Sequence, residues 1–196
     1  MNNPFQEGTN SFKRNSKILD RNKTALLIID IQEKILSVMQ QPETVINNTI
    51  KLIRGFKILG TPIYFTEQYP RGLGPTNSEI AGELAGLTPI QKMSFSCCGA
   101  ENLFSELKEK NIQQVVVAGI ETHVCVQQTV LDLLENNFQV NLIADAVSSR
   151  HLIDHETAIK RMQSHNAEIT TTESALFEIL GVSGTDEFKA ISRIIK

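Results

Sequence analysis

Three residues have side chains and settings that suggest chemistry. Cys125 follows the apolar run "VVVAGI" (115–120) and precedes a stretch of helical period, which puts it in the turn between a strand and a helix. A thiol there faces the positive end of the helix dipole, which favours the thiolate, and the first N–H groups of a helix have no partner inside it. The amides of residues 121–125 could then hold a developing oxyanion beside the nucleophile that creates it. Asp30 comes directly after the apolar Leu26, Leu27, Ile28 and Ile29, where an ionised carboxylate needs a compensating partner. Lys92, in "TPIQKMSFS", lies between Pro89 and Phe95 and is the simplest candidate. The residues alone leave two readings open for each. Free cysteine is among the most buried and inert residue types, and Asp30 and Lys92 could equally be a strand-end cap and a surface ammonium.

The elements that must position these groups are legible as alternating patterns. The β-branched runs at 24–30, 62–66, 115–120, 140–146 and 167–171 read as buried parallel strands. Ile46, Ile50, Ile53, Phe56 and Leu59 repeat at helical spacing, as do Leu103 and Leu107, and then Val130, Leu131 and Leu134. Strand and helix alternating in this way predict a three-layer α/β/α, doubly wound, mainly parallel sheet. Thr172 is the expected N-cap and Gly181 the expected C-cap of a late helix, with a last amphipathic stretch around Phe188, Ile191 and Ile194–Ile195. The long segment 67–102, rich in glycine and proline, is expected to be functional or to carry short helices of its own. Ligands of such sheets bind beyond the carboxyl ends of the strands. That rule selects Asp30, Glu67, the stretch from Glu121 to Cys125, and Asp145.

Composition narrows the function classes. The 196 residues are 41% hydrophobic and 21% charged, with 19 basic and 22 acidic side chains, a net charge of −3 and no basic block to follow a phosphate backbone. Nucleic acid is therefore not expected as a partner. No apolar run approaches the roughly 20 residues that cross a bilayer, so no membrane association is expected. Three cysteines, two of them the adjacent Cys97 and Cys98, make no disulfide framework and suit a reducing, cytoplasmic setting. Residues 1–22 read as a flexible arm before one domain over 23–196. Lys13, Arg14, Lys17 and Arg21 give the arm the basic bias of an organelle transit peptide but not its amphipathic period.

Three separated motifs, in order, carry a family likeness: "LLIIDIQEKI" with Asp30, "IQKMSFS" with Lys92 and "VVVAGIETHVCV" with Cys125, followed by "VNLIADAVSSR" and "TTTESALFEILG". With them the chain resembles the isochorismatase-like cysteine hydrolases, which include nicotinamidases and N-carbamoylsarcosine amidase. "FTEQYPRGLGPTNSEI" and "GIETHVC" are most similar to the isochorismatase-domain-containing subgroup. The resemblance implies a triad of Cys125 as nucleophile, Asp30 as general base and acid, and Lys92 favouring the thiolate and orienting Asp30. It also implies a cis peptide between Ile120 and Glu121 that turns the amides of Glu121 and Cys125 toward one oxygen, and assembly into dimers or larger rings.

The departures from that family bear on the substrate. Metal-dependent nicotinamidases carry Asp-x-His after the second strand, where this chain has Glu67-Gln68-Tyr69. No bound metal and no cofactor are therefore expected, and nicotinamide is not the expected substrate. Glu67 is expected to hydrogen-bond Lys92 or line the pocket, or else to be solvated, and Gln68, Tyr69, Phe95 and His123 are expected around a small-molecule substrate. Cys97 and Cys98 read as loop packing. The sequence thus points to hydrolysis of a small amide, carbamoyl compound or ester through a thioester on Cys125. Its rivals are a non-catalytic interaction protein that keeps the fold, and a metal-assisted amidase in which Glu67 and His123 recruit an ion.

Overall fold

The computed structural model describes residues 13–196. In chain order its elements are β1 (Thr24–Ile29), α1 (Glu33–Leu36), α2 (Pro42–Leu59), β2 (Ile63–Gln68), α3 (Pro70–Leu73), α4 (Ser78–Glu83), β3 (Ile90–Lys92), α5 (Leu103–Glu109), β4 (Gln114–Ile120), α6 (Gln127–Glu135), β5 (Gln139–Ser148), α7 (Leu152–Ser164), β6 (Glu168–Thr170), α8 (Thr172–Leu180) and α9 (Asp186–Ile195). A single π turn, Thr122–Val126, joins β4 to α6, and a short 3-10 turn covers Cys97–Gly99.

The six strands form one all-parallel sheet in the order β3-β2-β1-β4-β5-β6. Alternate side chains of each strand enter opposite layers, as a period of two requires. Leu26, Ile28, Val116 and Ala118 pack with Leu52, Phe56, Leu176 and Ile191 of α2, α8 and α9. Leu27, Ile29, Val115 and Val117 pack with Leu103, Leu107, Val130, Leu133 and Met162 of α5, α6 and α7. Helices therefore cover both faces, which explains why β1 and β4 read as unbroken apolar runs. The chain winds outward in both directions from the β1/β4 pair, so the crevice at the carboxyl ends of these two strands is the topological switch point.

Several local expectations shift by a few residues. The segment 67–102 contains α3, α4 and a sixth strand, β3, whose three residues are too few to show a period. β5 runs past Asp145 to Ser148, so this carboxylate does not end the strand. Its Oδ1 accepts from the N–H of Thr172, 2.9 Å, and from the Thr172 hydroxyl, 3.0 Å. Asp145 thus caps α8 from a neighbouring strand, and the N-cap position itself falls to Thr171 rather than Thr172. Gly181 ends α8 with φ at 73°, in the left-handed region.

Of the arm expected over residues 1–22, residues 1–12 lie outside the described part. Residues 14–22 lie against the domain: Leu19 is buried, Arg21 forms two bonds to the Glu187 carboxylate at 2.9 and 3.0 Å, and Gln114 donates to the carbonyls of Ser16 and Ile18.

Gly119 has one geometric duty. Its φ is 135°, and a Cβ there would meet the Ile29 carbonyl oxygen at 2.2 Å, a backbone atom with no freedom to yield. β4 can therefore approach β1 this closely only at a glycine, one residue before Asp30 on β1 and just ahead of the turn that carries the thiol.

Candidate active site

Asp30 leaves β1 in the left-handed region, φ 51°, a conformation that aspartate tolerates better than most residues. The turn aims its carboxylate between β2 and β3. Oδ1 accepts from the Thr66 hydroxyl at 2.7 Å and Oδ2 from the Lys92 ammonium at 2.6 Å. Both charged side chains are essentially excluded from solvent, 0% exposed for Lys92 and 3% for Asp30, so neither would be tolerable without the other. The remaining Lys92 donors reach the carbonyls of Ser94, 3.1 Å, and Phe95, 2.9 Å. All three N–H groups of Lys92 are thus engaged. It fixes the carboxylate and the 93–96 loop together.

Cys125 is 6% exposed and lies in the π turn after β4, whose preceding Ile120–Glu121 peptide is cis. Single π turns recur at functional sites because the wider coil re-aims side chains. The Glu121 carbonyl accepts from the amides of Val124, 3.0 Å, and Val126, 3.2 Å. Thr129, one turn on, donates to the Cys125 carbonyl at 2.7 Å and accepts from the Cys97 amide at 2.9 Å, tying the turn to the 3-10 segment. The thiol itself donates to Gln68 Oε1 at 3.0 Å.

Lys92 acts on this thiol in the expected direction, toward the thiolate, but is outweighed. Burial pushes the Cys125 pKa up, the nearby Asp30 carboxylate pushes it further, and Lys92 only partly opposes them. The ammonium that was expected to favour the thiolate is hydrogen-bonded to the carboxylate that disfavours it. Burial and the carboxylate thus favour the neutral thiol over the thiolate. Cys97, buried beside it, is pushed up to about 11, chiefly by desolvation.

The other expected site residues divide. Gln68 faces the thiol on the same side of β2 as Thr66. Glu67 alternates to the opposite side and does not reach Lys92. It is neither solvated nor bonded to that ammonium, because its Oε1 accepts from the Thr76 amide and hydroxyl, both at 2.8 Å. His123 sits against Ser149 at 2.9 Å, with Asp154 at 4.0 Å. The Glu121 carboxylate pairs with Arg150 at 2.9 Å, so this residue serves the thiol's turn through its backbone and not its side chain. Tyr69 and Phe95 are half exposed, 48% and 53%. The ring of Tyr69 lies over Gly72, and Phe95 contributes its carbonyl to Lys92. Among the described residues, no three His, Cys, Asp or Glu side chains are grouped to hold a metal ion.

Sequence reasoning did not single out Gln32, Thr66 or Thr129. Gln32 is fully buried, and its amide brackets the end of β2: Oε1 accepts from the Gln68 amide at 2.8 Å while Nε2 donates to the carbonyls of Gln68, 3.0 Å, and Gly74, 2.6 Å. A glutamine two residues after a buried aspartate was the available signal for it. The two threonines resemble ordinary strand and helix residues and offered none.

Residues 24–174 match the isochorismatase domain model. The chain is 38% identical over 173 residues to isochorismatase domain-containing protein 2 of Danio rerio, covering 88% of this chain and 86% of the relative. It is 40% identical over 178 residues to isochorismatase family protein 1B of Dictyostelium discoideum, covering 88% and 86%. Among solved structures, the MAR1 ribonuclease of Caenorhabditis elegans superposes with a TM-score of 0.84 at 38% identity, covering 90% of this chain and 91% of that one. The Escherichia coli YcaC product, described as an octameric hydrolase of unknown specificity, reaches 0.86 at 24% identity, covering 93% and 91%, and shares the fold.

Proposed function

The chain belongs to the isochorismatase family, and from that premise we propose that it is a cysteine-dependent hydrolase of a small amide, carbamoyl compound or ester. The bond cleaved is a C–N bond other than a peptide bond, or its ester equivalent. One observation carries this reading: the buried Asp30 carboxylate, anchored by Thr66 and Lys92, lies near enough to the Cys125 thiol at the sheet's switch point to raise its pKa.

Because the thiol rests protonated, its proton passes to Asp30 as sulfur attacks the carbonyl carbon. The carbonyl oxygen becomes an oxyanion held by the amides of Glu121 and Cys125, donors supplied by the same turn that carries the nucleophile. Collapse breaks the C–N or C–O bond, and Asp30 gives its proton to the departing nitrogen or oxygen. Water then adds to the thioester while Asp30 takes one of its protons. The acid product leaves and the proton returns to sulfur. Lys92, with every donor engaged, holds Asp30 and does not touch the substrate. No cofactor or metal has a part in this sequence.

Relatives named ribonuclease make RNA the competing substrate. A phosphodiester places its charge on oxygens that call for cations with unengaged donors. At this thiol the acting cation is Lys92, and its donors are taken. The carbonyl reading fits that arrangement better. The test is a panel of small amides, carbamoyl compounds and esters, with RNA alongside, run before and after exhaustive chelation. Turnover of a small carbonyl compound that survives chelation is the expected result. RNA cleavage with none of the panel turned over, or activity lost with the chelated metal, contradicts the proposal.

A further inference from the structure

Around the thiol, one side chain combines direct contact with freedom to move. Gln68 Oε1 sits 3.0 Å from Cys125 Sγ, yet its Nε2 holds only the Met93 carbonyl, at a long 3.4 Å. Its backbone, by contrast, is fixed. Gln32 binds both its N–H and its C=O, and the next amide, that of Tyr69, donates to the Lys92 carbonyl at 3.0 Å. The carboxamide can therefore rotate without moving the strand that carries Thr66, and so without disturbing Asp30.

What it touches also has a definite chemistry. A neutral carboxamide rests where a substrate must come to reach sulfur. The charges that act on the thiol are chiefly those of Asp30 and Lys92, paired with each other, and at sulfur the carboxylate outweighs the ammonium. Glu67 is committed to Thr76, and Glu121 to Arg150. An anionic group entering beside the carbonyl would face the Asp30 carboxylate and an ammonium with no donor left to offer. A neutral amide or urea group would meet the donor and the acceptor of Gln68, which it matches in both senses.

We propose that Gln68 is the specificity-determining residue of this site, and that it admits to Cys125 the carbonyl of an uncharged amide or urea-type group while rejecting acids. This rests on the reading of Cys125 as the nucleophile. In the resting site Gln68 occupies the position of such a group, and on binding it turns aside to hydrogen-bond the substrate's own amide.

The probes are iodoacetamide and iodoacetate, two electrophiles of the same size that differ as amide and carboxylate. Alkylation of Cys125 is followed by mass spectrometry in the native protein and in the denatured chain. The wild-type protein should favour iodoacetamide over iodoacetate by about tenfold more than the denatured chain does, the equivalent of one well-placed polar interaction. Gln68→Leu should bring that ratio back to the denatured value with an unchanged melting temperature. Gln68→Met, which keeps the side chain's length, should do the same and serves where the leucine variant melts lower. A full preference retained in a folded variant overturns the proposal. So does a wild-type protein whose Cys125 is alkylated by both reagents with the ratio of the denatured chain, and in that case the nucleophile reading stands. A native Cys125 that neither reagent alkylates, while the denatured chain reacts with both, removes both.

Discussion

Asp30 and Lys92 are the residues on which the site depends most, because each makes the burial of the other tolerable. Lys92→Met should destabilise the protein by about 3 to 5 kcal/mol, read from denaturant midpoints, since it strands a buried carboxylate. Adding Asp30→Asn should recover part of that loss, and the double-mutant cycle measures the coupling. The Cys125 thiol makes a sharper prediction. Burial and Asp30 keep it protonated, so the thiolate absorbance near 240 nm at neutral pH should be the same in the wild-type protein and Cys125→Ser; extra absorbance in the wild type would show a resting thiolate. Cys97 carries a pH signature of its own. Its pKa is raised in the fold, so the unfolded chain loses this proton first, and the stability it contributes is complete below the ordinary thiol pKa of about 8.5. That contribution should be lost as pH rises through about 11, and Cys97→Ala should flatten the alkaline slope of a stability-against-pH curve.

The elements matter through how closely they approach. Gly119→Ala would drive a Cβ into the Ile29 backbone, pushing β4 and its cysteine turn away from Asp30. We expect a loss of several kcal/mol, or a folded protein whose Cys125 no longer reacts, by the same alkylation assay. Thr129→Val should leave α6 intact and loosen the link between the π turn and the Cys97 segment. At this scale the sequence was legible where periodicity was long. The strands at 24–30 and 115–120, the α2 stripe and the α9 stripe all lie where their apolar residues pointed. Asp30, Lys92 and Cys125 converge because strand ends of one parallel sheet must converge, whatever the loops do. β3 escaped notice because three residues have no period. A single residue of strand alternation separates Glu67 from the face where Gln68 meets the thiol, and its carboxylate goes to Thr76 instead. Gln32, Thr66 and Thr129 act through contacts across the fold that no local pattern announces.

For the molecule as a whole, the distribution of apolar surface suggests association. Leu152 and Ile153 at the start of α7 are 61% and 69% exposed, and Val38 after α1 is 55% exposed. Gln40, two residues beyond Val38, bonds to the backbone of Ser149 and Arg150 just ahead of that pair, so the three apolar side chains flank one junction at the carboxyl side of the sheet. We expect sedimentation to report an oligomer that Ile153→Asp weakens, and a purely monomeric wild type would contradict this. Among the described residues no helix is long and apolar enough to cross a membrane. Whether Cys125 is the nucleophile is decided by the turnover of the best small amide or ester found in the panel, compared between wild type and Cys125→Ser at equal fold stability. A fall of at least about 10³-fold in kcat is expected for the serine variant. Equal rates in the two proteins would contradict covalent catalysis at this sulfur.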